Sequence, residues 1–278
     1  NDVAPYTHLV DAMQEHPLSF FETIVGMAYA AFADAPVDVA VVEVGMGGSW
    51  DATNMVDSQV AVIGPISLDH AQYLGETAAE IAVEKAGIIK PGSYVVLAEQ
   101  SPEVAAVLLA KAAEVGATVV REGMEFGLLS RVGGVGGQLV SIRGLRAQFD
   151  DLFLPLHGAH QAQNAAVALA AVEALIGEAP LDDEIVRAAF ADFTSPGRLE
   201  VIRRSPSIVL DAAHNTHGAN AVVAALEDSF AFSPLIGVIA VMGDKDAEGM
   251  LAVFEPIMEH VIITQNSTPR AMSAHALG

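Results

Sequence analysis

VVEVGMGGSWDATNMVDSQVAVIGPISLDHAQYLGETAAEIAVEKAG (residues 41–87) sets three polar islands in strongly apolar sequence: Glu43, Asp69-His70 and Glu84-Lys85. The runs leading into the first two, VDVAVVEV at 37–44 and VAVIGPI at 60–66, are near-continuous and β-branched, the pattern of strands covered on both faces. Two such strands in succession, followed by a helix expected over 76–88, predict a parallel sheet. Open α/β sheets bind ligands at the carboxyl edge of their strands. A carboxylate and an imidazole at successive strand ends, with a lysine on the next helix, can converge there as half of a phosphate-and-metal site.

The α/β alternation continues outward from this stretch. Residues 20–34 place apolar side chains all round a helical repeat, as a buried helix would. Strands are expected at 94–98 and 118–121 and a helix at 102–115, with Pro102 in its first turn. From 124 to 156 the texture changes to short apolar segments parted by glycine-rich turns such as GGVGG, which predicts a small antiparallel meander. A long alanine-rich helix over 159–176 stops at Gly177, and a shorter one covers 182–190. After the linker-like Thr194-Ser195-Pro196-Gly197 a second α/β alternation runs through strands 208–211, 235–242 and 261–264 and helices 218–230 and 247–254. The domain division expected is 1–193, a linker at 194–198, and 199–278. The opening NDVAPYTHLV reads as loop, and about three C-terminal strands fall short of the usual five or six, so both ends are expected to be incomplete.

Composition bounds the function. With 52% hydrophobic residues the 278-residue chain can build a real core, while a net charge of −22, from 13 Lys and Arg against 35 Asp and Glu, disfavours nucleic-acid and anionic-membrane surfaces. Such a chain can bind polyphosphate where metal ions and a few placed cations reverse the local field. Cysteine is absent, which excludes disulfide and thiolate chemistry. No apolar run reaches the roughly 18 residues of a spanning helix, and the acidic start is no signal peptide; the expected setting is soluble and cytoplasmic.

Each candidate residue has an ordinary structural role open to it as well as a chemical one. Glu43, at the end of an apolar run, is a metal ligand or half of a structural ion pair. His70 is a ligand, or with Asp69 a cap of the next segment. Lys85 is one side of a surface pair with Glu84, or a lysine whose neutral amine takes up carbon dioxide to give an anionic carbamate. Gly45, Gly47 and Gly48 permit close backbone approach, and Asp51-Ala52-Thr53-Asn54 is a polar cluster or a plain turn.

VVEVGMGGSWDATN, PISLDH and EKAGIIKPG, followed in order by LPLHGAHQAQNAAVALAAVE, TSPGRLE, VLDAAHN and VMGDKD, resemble the bifunctional dihydrofolate synthase and folylpolyglutamate synthase branch of the Mur ligase superfamily. The resemblance covers nearly the whole chain. It implies an α/β fold: a Mur-ligase-like central ATPase domain with a mostly parallel sheet and a small antiparallel subsheet, then a partial Rossmann-like C-terminal domain. It also implies an ATP-dependent ligase that joins L-glutamate to dihydropteroate, to the glutamate tail of reduced folates, or to both through an acyl phosphate. Glu43, His70 and Lys85 match the family's magnesium side, with two magnesium sites and a carbamate on Lys85. Asn164 matches the adenine contact, Arg198 the interdomain arginine reaching the phosphates, and Asp211 and His214 the C-terminal nucleotide contacts. Phe21, Asp51, Ala52 and Thr53 fall where the family holds the pterin. Catalytic roles are thereby implied for Lys85, His70 and Arg198, in a monomer.

The chain departs from the family pattern in places. No Gly-Lys-Ser or Gly-Lys-Thr phosphate loop occurs in it; the family places that loop upstream of Phe20, so the 278 residues alone are expected to lack ligase activity. Ser49 stands where the family usually has arginine, and Ala212 and Thr216 replace a usual glycine and proline. A cell-wall amino-acid ligase and a non-catalytic nucleotide- or pterin-binding remnant are the alternative readings.

Overall fold

The computed structural model describes residues 3–35, 37–68 and 71–278, so Asp69 and His70 lie outside the described residues. The chain opens with α1 (Ala4–Met13), where the sequence suggests a loop; Pro5 stands in its first turn, where an N–H would have no helical partner. A capping box starts α2 (Phe20–Asp34): Ser19 Oγ accepts from Glu22 N at 3.2 Å, and the Glu22 carboxylate accepts from Ser19 N at 2.7 Å. α2 is not the buried helix its composition suggests. Of its residues Val25 alone is buried, and Phe20 is 82% exposed.

The expected strand at 37–44 does not form. Those residues are irregular, and Val41 is 93% exposed. A parallel strand exists only through hydrogen bonds to a neighbour, and among the described residues no strand pairs with 37–44. The second apolar run does pair, as β1 (Val60–Ile63), and it stops at Gly64-Pro65, where proline has no N–H to give to a ladder. After α3 (Ala71–Leu74) and α4 (Ala78–Lys85), β2 (Tyr94–Leu97), α5 (Pro102–Val115) and β3 (Thr118–Arg121) complete a sheet of order β1-β2-β3. The bonds Tyr94 N to Gln59 O, Ala98 N to Ile63 O, Thr118 N to Ser93 O and Glu122 N to Leu97 O advance in equal steps along each pair, which makes the sheet parallel. Val104, Leu108 and Ala112 form the buried stripe of α5.

The expected meander is present as β4 (Gly127–Gly134), β5 (Gly137–Arg143) and β6 (Gln148–Leu154), antiparallel in that order. α6 (Ala159–Ile176) follows, burying Ala162, Ala166, Ala170 and Ala174 along one face, then α7 (Asp183–Ala191). The strand expected to open the second alternation instead closes a hairpin. β7 (Glu200–Arg204) and β8 (Ser207–Leu210) pair antiparallel as a sheet of their own. β7 begins at Glu200, within TSPGRLE, whose turn residues suggest only a linker. After α8 (Thr216–Ser229), β9 (Ile236–Ile239) and β10 (His260–Ile263) pair in parallel around α9 (Ala247–Phe254), and α10 (Ala274–Leu277) ends the chain. Their core joins Leu199, Val222, Leu226, Met250 and Phe254, each such side chain contributing about 1.5–3 kcal/mol on burial.

The chain clusters as two compact units, the first made of residues 1–61, 70–95 and 100–118 and the second of residues 62–69, 96–99 and 119–278. Among the described residues no helix is long and apolar enough to cross a membrane.

Candidate functional site

In the first unit the glycine-rich loop after residue 44 is clipped to the end of α4. Ser49 donates from both N and Oγ to the Glu84 carbonyl at 3.0 Å, and Trp50 N donates to Glu84 Oε1 at 3.3 Å. Gly48 is required by that contact: a Cβ there would stand 2.5 Å from the Glu84 carbonyl oxygen and 3.0 Å from Lys85 Cα. Asn54 Nδ2 donates to the carbonyls of Ser49 and Gly87, both at 3.1 Å, and Lys90 Nζ donates to the Asn54 carbonyl at 3.0 Å. Lys85 is thereby fixed beside the loop, and Phe21 lays its ring over Gly45.

Asp51 organises the loop from inside. It is 7% exposed; Oδ2 accepts from Met46 N at 2.8 Å, and Oδ1 accepts from Thr53 N at 2.9 Å and Thr53 Oγ1 at 2.6 Å. Burial opposes its ionisation, but the Thr53 hydroxyl and the amides of Met46, Thr53 and Gly45 outweigh it and hold the carboxyl below its ordinary value. Tyr29 Oη donates to the Thr53 carbonyl at 2.6 Å. The structure therefore gathers Phe21, Asp51, Ala52, Thr53 and Lys85 around one loop, with the Asp51 and Thr53 side chains committed to holding it together. Glu43 is exposed on the irregular segment before it, and His70 lies outside the described residues. No three His, Asp or Glu side chains among the described residues gather as a metal cage.

The second unit holds a cavity of about 350 Å³ between α6 and α8. His160, Gln163 and Asn164 line it from α6, His217 and Asn220 from α8, with Pro65, Ala98 and Glu122 at its edge. The N-terminus of α6 has no side-chain cap, and Gln161 N donates to the Gly158 carbonyl at 3.2 Å. Asn164 makes one 3.4 Å contact, from Nδ2 to Gln161 Oε1, and is otherwise exposed. Burial lowers the pKa of His160; Asp211 partly offsets this, while Arg198 and His217 add to it. Those four residues are thus within electrostatic reach of one another, and a neutral His160 can accept as well as donate.

Asp211 ties the linker to β8, accepting from Leu199 N at 2.9 Å and Ala213 N at 2.7 Å. His214 Nδ1 lies 3.2 Å from the Ala212 carbonyl. Arg198 lines a second, larger cavity of about 970 Å³, together with 133–136, 155–157, 193–196, 199–201 and 228–230. Sequence reasoning singles out Asn164, Arg198, Asp211 and His214 but misses His160, Gln163, His217 and Asn220. The spacing of His160, Gln163 and Asn164 over one helical turn carried that signal.

Two family models match the chain: the Mur ligase middle domain over residues 12–172 and the Mur ligase, glutamate ligase domain over 197–278. Among curated relatives, the dihydrofolate synthase/folylpolyglutamate synthase of Mycobacterium tuberculosis is 49% identical over 99% of this chain and 60% of its own length. The folylpolyglutamate synthase of Lacticaseibacillus casei is 35% identical over 98% of this chain and 65% of its own. Among solved structures, Mycobacterium tuberculosis folylpolyglutamate synthase complexed with ADP superposes with a TM-score of 0.95 at 50% identity, covering 99% of this chain and 63% of that one. A complex of a folylpolyglutamate synthase with AMPPCP and folate gives a TM-score of 0.88 at 34% identity, covering 98% and 67%. The chain spans about 60–65% of the length of these curated relatives.

Proposed function

The chain belongs to the Mur ligase family and is homologous to dihydrofolate and folylpolyglutamate synthases, and from that premise we propose that it serves an ATP-dependent ligase joining L-glutamate to dihydropteroate, to the glutamate tail of folates, or to both. The observation that carries this reading is the cleft between α6 and α8, which brings Asn164, His160 and His217 to one cavity. It lies in a chain half identical to a relative solved with ADP. The domain division in this reading is 1–193, a linker at 194–198 and 199–278, in keeping with the two family matches.

Asn164 takes the adenine edge, Asp211 and His214 hold the nucleotide from the C-terminal side, and Arg198, leading out of the linker, meets the phosphates. A guanidinium suits that task because charge builds on the transferring phosphoryl group, and positioning and electrostatics are most of what protein groups can supply there. The acceptor carboxylate becomes an acyl phosphate, and the glutamate amine displaces phosphate to form the amide. Phe21 and the 51–53 turn border the pterin; Asp51 and Thr53 act by shaping the loop. Glu43, His70 and a carbamate on Lys85 are the metal-facing side for up to two magnesium ions, a reading that rests on motif order and on the packing of Gly48 against Lys85. The setting is a monomeric cytoplasmic enzyme acting on small molecules.

The test is glutamate-dependent ADP release by the full-length protein with dihydropteroate, tetrahydrofolate and a muramyl peptide as acceptors. Turnover with either pteridine supports the reading. Turnover with the muramyl peptide alone makes the protein a cell-wall ligase, and ADP binding without turnover on any acceptor makes it a binding remnant.

A further inference from the structure

α6 and α8 are the two walls of the 350 Å³ cavity, so their separation sets its width. Gly158, the N-cap of α6 at φ 92°, sits so close to α8 that a Cβ there would stand 2.7 Å from the Cβ of Ala225. Further along α8, Asp228 receives a forked pair from Arg131 on β4: Nη1 donates to Oδ2 at 2.7 Å and Nη2 to Oδ1 at 3.1 Å. The fork fixes direction as well as distance. Arg131 Nη1 also donates to Gln138 Oε1 at 3.3 Å, and the fully buried Gln138 donates from Nε2 to the Gly158 carbonyl at 3.0 Å. One hydrogen-bonded path therefore runs from the end of α8 through β4 and β5 to the N-cap of α6.

We propose that Arg131 and Gln138 are positioning residues that hold α8 against α6 at the spacing at which the cavity grips a nucleotide. Neither lines the 350 Å³ cavity. The Arg131–Asp228 pair is partly exposed, with side-chain accessibilities of 21% and 40%, so it adds little to global stability. Its contribution lies in fixing a wall. The proposal rests on the nucleotide reading of the cleft and adds what sets its width.

The experiment measures ADP affinity by calorimetry and urea unfolding on the full-length protein. The variants are Arg131→Lys, which keeps the charge and loses the fork, Asp228→Asn, the charge swap Arg131→Asp/Asp228→Arg, and Asn164→Ala. The two single changes along the path are expected to weaken ADP binding about 5-fold with an unchanged urea midpoint, and the swap, which restores the ion pair but not the bond to Gln138, to recover only part of that loss. Wild-type affinity in both single variants overturns the proposal, as does a swap that recovers wild-type affinity in full or recovers none of the loss. If Asn164→Ala leaves ADP affinity unchanged, the nucleotide reading of the cleft fails. Loss in Asn164→Ala beside wild-type affinity in Arg131→Lys and Asp228→Asn leaves that reading standing and removes the positioning role alone.

Discussion

In the 45–54 loop Asp51 gives both carboxylate oxygens to Met46 and Thr53, whereas in the cleft between α6 and α8 Asn164 keeps its Oδ1 unclaimed by any described residue. Both regions are rich in small and polar residues at the end of a helix or strand. They differ in where their hydrogen bonds end. In the loop the polar groups close on one another, so the donors and acceptors that motif reading assigns to a substrate are used to make a shape. In the cleft Asn220 is held by the Thr216 carbonyl, but Asn164 leaves its Oδ1 open, and an open polar group near an apolar wall is what gives a ligand its orientation. A substitution in the first region should therefore be felt as stability, and one in the second as affinity.

The largest effect belongs to Asp51→Ala, which strands the amides of Met46 and Thr53 in a buried loop. It should lower the unfolding free energy by about 3 kcal/mol, read as a shifted urea midpoint, while ADP affinity holds within about 2-fold. A tenfold loss of ADP binding at unchanged stability would reverse the roles of the two regions. Gly48→Ala should follow at about 2 kcal/mol, because the atoms its Cβ would meet are backbone and cannot rotate away. Asn164→Ala should cost about 10-fold in ADP affinity, with unfolding free energy within about 0.5 kcal/mol of wild type.

Two titrations sharpen the contrast further. The folded pKa of Asp51 is lowered, so its contribution to stability is present above the unfolded carboxyl value and is lost as pH falls through the folded one. Urea midpoints taken downward from pH 6 should show an acid loss that Asp51→Asn removes; an unchanged profile in that variant would assign the loss elsewhere. The His160 pKa is lowered in the free cleft, and bound phosphate charge should raise it. ADP should then bind modestly tighter as pH falls through that range, and the His160 ring should titrate higher with ADP present than without.

Much of the architecture was legible because local pattern and tertiary outcome agreed. The meander at 124–156, the helices at 102–115, 159–176 and 247–254, and the parallel sheet through 60–63, 94–97 and 118–121 stand where periodicity and turn residues put them. The runs at 37–44 and 60–63 show where such reading stops. Both are rich in valine, yet one is a paired strand and the other an exposed irregular segment, because a strand is defined by its neighbour and apolar pattern says nothing about whether one is there. The hairpin β7–β8 was hidden for a related reason, since TSPGRLE carries turn residues just ahead of the pairing edge. Asn164, Arg198, Asp211 and His214 could be named from motifs, and of these Asn164 alone lines the cleft; His217 and Asn220 could not be named. They become partners of α6 only when α8 is laid beside it.

Hydrogen exchange of the full-length protein with and without ADP tests the division between the two regions most directly. New protection is expected at 158–167 and 214–221, with the 45–54 loop already slow to exchange and unchanged by the nucleotide. Protection appearing at 45–54 with none along α6 and α8 would contradict that division.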